Sequence, residues 1–168
     1  KAIVRSLKTT TAINPSIKQM ETADAILILG EDVTNTAPRV ALGLRQAVRN
    51  KAFEFAAQMG LTQWQDAAVR NLAHDQRSPM IIVAATDTRL DDVASQCISL
   101  SPDDIAALGI GVAEALSGRK SQDEMVNQVA AILAGANNPL VISGASMLHE
   151  GIVNSAVAVA EQLHSCDK

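Results

Sequence analysis

Aromatic side chains are almost missing: one Trp, two Phe and no Tyr in 168 residues. Surfaces that stack on bases or on ligand rings are made from such residues, so the chain has little with which to build one. A basic excess is missing too. With a net charge of −4 there is no electrostatic footprint for nucleic acid. No apolar run reaches the roughly 18 to 20 residues of a bilayer span, so no direct membrane insertion is expected. Cysteine is restricted to Cys97 and Cys166, far apart and without a partner at metal-ligand or redox spacing. Such usage fits inert thiols in a reducing compartment. His74, His149 and His164 share no H-x-x-H or H-E-x-x-H spacing, which argues against a zinc or haem site. The segment Lys1 to Ile13 lacks the continuous apolar core of a signal peptide. The absent initiator Met and the abrupt Asp167-Lys168 end read as a piece cut from a longer polypeptide.

What is present is ordinary for one globular domain with a full core: 48% apolar and 19% charged residues. The chain is organised around Ala25-Ile26-Leu27-Ile28-Leu29, five apolar residues that read as a strand buried on both faces of a parallel sheet. Gly30 ends it at a sharp turn, and Pro38 suits the first turn of a helix. Residues 1–20 are expected to be an irregular lead-in with a short helix near Pro15 to Glu21, and 21–168 an α/β domain. Val40, Leu44, Ala47, Val48, Phe55 and Met59 recur at helical spacing, which predicts one helix from Pro38 to about Met59, capped by Gly60. Thr62 and Gln65 have capping-box spacing for a shorter helix, with Trp64 as a packing anchor.

Met80 to Val83 and Pro139 to Ser143 repeat the buried-strand pattern, and Cys97 to Leu100 reads as an edge strand. Ser101-Pro102 opens a helix to about Leu116, Ser121 and Glu124 form a capping box for a helix ending near Gly135, and a last helix covers about Glu150 to Leu163. The order implies a three-layer, Rossmann-like α/β fold. Right-handed crossovers arrange its strands as 96–100, 80–84, 25–29, 139–143.

In such sheets ligands bind beyond the carboxyl ends of the strands where the strand order reverses. The expected cleft lies between Gly30 to Asn35 and Ser143 to Met147. Its candidates are Gly30, Glu31, Asp32, Thr34, Asn35, Ser143 and Gly144, with Asp87 and Arg89 following the second strand. Glu31 and Asp32 have the chemistry of a cation site or an acid–base pair, yet adjacent loop residues point apart, and a solvated loop is the expected reading. Thr34, Asn35 and Thr36 suit either a phosphate or, as expected, a helix cap. The single Gly30 is neither a dinucleotide fingerprint nor a Walker loop, and Ser143-Gly144-Ala145-Ser146 is not a nucleophile elbow. No catalytic or metal residues are expected. His149 is the one histidine near the cleft, and the run Asp87, Arg89, Asp91, Asp92 suits a ribose contact or local ion pairs equally well.

Two stretches together resemble a known family: Glu21 to Thr34 with Pro38, and Asp87-Thr88-Arg89-Leu90-Asp91-Asp92-Val93-Ala94. They look like the large iron–sulfur subunit, the G subunit, of bacterial NADH–quinone oxidoreductase, respiratory complex I. The resemblance runs from about residue 16 to 163, takes in Asn137 to Gly144, and is most specific at Glu31-Asp32-Val33-Thr34. It implies a molybdopterin-oxidoreductase or formate-dehydrogenase-like lobe, iron–sulfur clusters elsewhere in the parent chain, other peripheral-arm subunits as partners, and a cytoplasmic position peripheral to the inner membrane. Molybdopterin-guanine-dinucleotide enzymes follow the second strand with Asp-Pro-Arg, whereas an ungapped match from Thr88 puts Ala84, Ala85 and Thr86 there. A methyl group accepts no hydrogen bond, and each ligand donor left unpaired costs roughly 1–3 kcal/mol. The resemblance thus implies a vestigial cofactor site, a structural role, and a face around Ala84 to Arg89 turned toward neighbouring lobes. An active cofactor-binding lobe and a stand-alone binding module are the alternatives.

Overall fold

Strand β1 (Ala25–Leu29) is buried along its whole length, at the centre of a four-stranded sheet. In the computed structural model, which describes residues 2–72 and 76–166, the strand order is β3 (Gln96–Ser99), β2 (Met80–Ala84), β1, β4 (Pro139–Ser143). All three pairings are parallel, with Ile28 opposite Ile82 on one side and Ile142 on the other. This is the expected order, and it follows from handedness: right-handed crossovers leave few ways to lay out these elements. Lys1, His74 and Asp167-Lys168 lie outside the described residues.

Alternate residues of the strands feed two cores, which makes three layers. Ile26, Ile28, Met80 and Ile82 pack with Ala41, Leu44 and Ala47 of α4 (Pro38–Val48). Leu27, Leu29, Ile81 and Val83 pack under α7 (Pro102–Leu116), α8 (Glu124–Gly135) and α9 (Glu150–Ser165). Each such side chain contributes roughly 1.5–3 kcal/mol on burial, so β1 and β2 anchor the fold. Helices α7 and α9 cross closely at Gly109, where a Cβ would stand 2.4 Å from Ser155 Oγ. Ser101 caps α7 as its sequence requires, with Pro102 in the first turn.

The lead-in is more ordered than its sequence suggested: α1 (Ala2–Thr9) is helical, and α2 (Ile17–Met20) closes a capping box between Ser16 and Gln19. After α3 (Val33–Thr36) and α4, the helix expected to reach Met59 is interrupted at Arg49 and resumes as α5 (Asn50–Gln58). Ser78 is the cause. Its backbone N–H takes the Val48 carbonyl at 2.9 Å and its Oγ accepts from the Lys51 N–H at 3.4 Å, so both groups leave the helical ladder. Gly60, with φ +78°, ends α5 as expected: its N–H reaches the Ala57 carbonyl and the Leu61 N–H the Ala56 carbonyl. Met59, assigned to the apolar face, is 61% exposed because it lies in this final turn.

Three further expectations are corrected. Trp64 is 80% exposed; α6 (Asp66–Leu72) starts beyond it and buries Val69 instead. Ser121 and Glu124 form no capping box, because Asp123 caps α8 by accepting the Met125 N–H at 2.9 Å, while Ser121 Oγ accepts from Asp123. And β4 is only half-buried, with Leu140 its one buried residue, because it lies at the sheet edge.

Candidate functional site

The loops after β1 and β4 meet at the carboxyl end of the sheet, where the order reverses. Gly30 takes φ +63° and is crowded: a Cβ there would stand 2.9 Å from Ile152 Cδ1 and 3.1 Å from the Met147 sulfur. The next side chain turns inward. Glu31 is 6% exposed, and its Oε2 accepts the Ser146 N–H at 3.3 Å while Ser146 Oγ donates to the Gly30 carbonyl at 3.1 Å. Gly144 makes room for it, since a Cβ on Gly144 would fall 1.8 Å from Glu31 Oε2. Glu31, expected to be solvated, is instead buried: its carboxylate lies against Gly144 and ties the two loops together through the Ser146 N–H.

Asp32 points away from Glu31 and caps α3, its Oδ1 accepting the N–H groups of Thr34 at 3.1 Å and Asn35 at 3.3 Å. Capping was expected here, but Asp32 supplies it; Thr34 and Asn35 are the residues capped, and Ala37 precedes α4 without a side-chain cap. Among the described residues, four buried polar side-chain atoms have no hydrogen-bond partner: Glu31 Oε1, Thr34 Oγ1, Ser143 Oγ and His149 Nδ1. The other ring nitrogen of His149, Nε2, lies 2.9 Å from Asp103 Oδ1 and joins the starts of α9 and α7. Leu148, just before it, takes φ 51° and is 91% exposed.

The charged run after β2 divides. Asp91 accepts from the Thr88 backbone N–H at 3.1 Å and from its Oγ1 at 2.6 Å, and Asp92 receives both arms of Arg45 at 2.8 Å. The guanidinium holds the Asp92 carboxyl below its ordinary range, and Asp92 in turn raises Arg45. Arg45 also donates to the Arg89 carbonyl, so this run staples its loop to α4, whereas the side chains of Asp87 and Arg89 stay exposed. Burial, then Asp91 and Asp87, push the Cys97 thiol up, away from the reactive thiolate. Among the described residues no three His, Cys, Asp or Glu side chains gather as metal ligands, and no helix is long and apolar enough to cross a membrane.

The chain aligns with part of a longer oxidoreductase subunit. It is 36% identical, over 99% of its length, to the G subunit of the NADH-quinone oxidoreductase of Pseudomonas fluorescens. It is 39% identical over 89% of its length to that of Shigella flexneri, and 38% to that of Escherichia coli K12. This chain is homologous to one region of the G subunit. It spans about a fifth of the length of these curated relatives, 17 to 19%. No protein-family model matches the chain. The likeness to the Pseudomonas fluorescens subunit extends over 99% of the chain and so takes in the segments that form both loops. Sequence reasoning named Glu31 and Gly144 but missed their contact, for which the only signal was a glycine directly after a strand.

Proposed function

We propose that the chain is a structural, non-catalytic lobe of a G-subunit polypeptide, within an NADH–quinone oxidoreductase that passes electrons from NADH to quinone. The observation that carries this reading is the buried Glu31 carboxylate seated against Gly144, in the place where nucleotide-binding relatives of this architecture receive their ligand. A molybdopterin-guanine dinucleotide does not fit the residues present. It would have to displace Glu31 and break the Ser146 contacts, and Ala84 and Ala85 at the end of β2 offer its guanosine no side-chain acceptor.

In this reading the iron–sulfur clusters of the parent chain lie in other segments, and the lobe meets neighbouring peripheral-arm subunits at the membrane's cytoplasmic side. The exposed Asp87 and Arg89 supply polar contacts on that face. Thermal unfolding with guanosine monophosphate tests the vestigial site. Ligand at 100 times its Kd would add about 2.7 kcal/mol, a rise of roughly 5–11 °C for a chain of this size. The expected change with millimolar nucleotide is under about 1 °C, and a rise of 5 °C or more overturns the reading.

A further inference from the structure

The two helical layers differ in charge. Residues 38–72 form α4 to α6, of which α4 packs on one face of the sheet, and they carry five Arg and Lys against two Asp and Glu. Residues 102–165, whose helices α7 to α9 cover the other face, carry two against seven. A chain of net charge −4 thus has a basic side.

Ion pairing on that side leaves the excess in place. Asp66 is shared: Arg49, at the end of α4, and Arg70, one turn along α6, both donate to its carboxylate. The two guanidiniums, Arg70 foremost, hold that carboxyl below its ordinary range. One carboxylate balances only one of them, so the trio keeps a positive charge at the surface. Arg49 also lies over the Phe53 ring, 4.9 Å from its centroid. Two residues before Asp66 stands Trp64, in the connection from α5 to α6 that Met59 opens, and both side chains are exposed. A Trp can bury roughly 150–250 Å², and this one is left mostly in water. Exposed ion pairs contribute little to folding, so the stability of this chain accounts for neither the trio nor the indole. Trp, Met and Arg are instead the residue types enriched where one protein covers another, and Trp and Arg dominate the residues that carry binding energy.

We infer that this face, centred on Trp64 and the Arg49–Asp66–Arg70 trio, docks against an acidic surface of another subunit, with carboxylates opposite the guanidiniums and an apolar recess for the indole. Charge complementarity selects the partner's chemistry. A second copy of this chain fits less well: its acidic side lies across the sheet from its basic side, so the contacts would run head to tail rather than close as a pair. The inference rests on the assembly reading above.

The test uses the intact complex. Recovery of this chain's peptides from purified NADH–quinone oxidoreductase is scored first; their absence defeats the assembly reading and this inference with it. With the peptides present, hydroxyl-radical oxidation of Trp64 and Met59 is expected to run at least about 10-fold slower in the complex than in the isolated full-length polypeptide, and rates within about 2-fold overturn the docking alone. Carbodiimide, which couples an amine to a carboxylate, is expected to join the exposed Lys51 to an Asp or Glu of another subunit. Products confined to the same polypeptide or to a second copy of it, or no product at all, overturn the acidic partner. Trp64→Ala in the full-length chain is expected to lower incorporation into the complex at least about 10-fold. Incorporation at the wild-type level also overturns the proposal; if the variant fails to fold, the wild-type oxidation rates decide.

Discussion

Replacing Gly144 by Ala sets a methyl group where Glu31 already stands. The new Cβ would lie 1.8 Å from Oε2 and 2.5 Å from Cδ of Glu31, and the clash falls on a side chain that is 94% buried. The carboxylate must leave, and the Ser146 N–H loses its acceptor, a hydrogen bond worth about 1 kcal/mol. Strain from the overfilled site adds roughly 1–3 kcal/mol. The expected loss is about 2–4 kcal/mol, or a fall in Tm of about 4–16 °C for a chain of this size. Urea unfolding followed by circular dichroism measures it, in a cycle with Glu31→Ala. Once the carboxylate is gone, the Gly144→Ala step is expected to cost less than about 0.5 kcal/mol, which gives a coupling of at least about 1.5 kcal/mol between the two sites. Equal costs in both backgrounds would refute the claim that Glu31 occupies the space a Cβ needs.

Other outcomes follow from the same geometry. Gly109→Ala, placing a Cβ 2.4 Å from Ser155 Oγ, is expected to destabilise by about 1–3 kcal/mol despite its better helix propensity, with part of the loss restored by Ser155→Ala. Trp64→Ala is expected to change stability by under about 0.5 kcal/mol, since the indole is 80% exposed; a loss above about 2 kcal/mol in chemical denaturation would reinstate it as an anchor. Asp92 has its folded pKa lowered by Arg45, so its stabilising effect is present above the ordinary carboxylate range and disappears as pH falls through the lowered value. Denaturation between about pH 6 and 2 should show a smaller decline in Asp92→Asn than in the wild type; identical profiles would count against the pair.

Much of the fold was legible because apolar pattern is a local signal. Five uninterrupted apolar residues at 25–29 suit a strand that leaves water on both faces, and the structure has them in the middle of the parallel sheet. Ser101-Pro102 and Gly60 are likewise read by their own backbone neighbours, and both cap as written. The misreadings share another property. Trp64 carries the composition of an anchor, yet it stays 80% exposed; the helix through Arg49 has unbroken periodicity, yet Ser78 takes its hydrogen bonds from a segment 27 residues further on.

The cleft shows the same division. Sequence by itself determined the sheet, its strand order and the two loops at its reversal, because burial demand and chain handedness act on local pattern. That a side chain of the first loop packs against the second was decided only by the tertiary structure. Glu31 and Ser146 are 115 residues apart, and a carboxylate becomes buried there only because the assembled sheet brings a glycine beside it, leaving space that no local rule specifies.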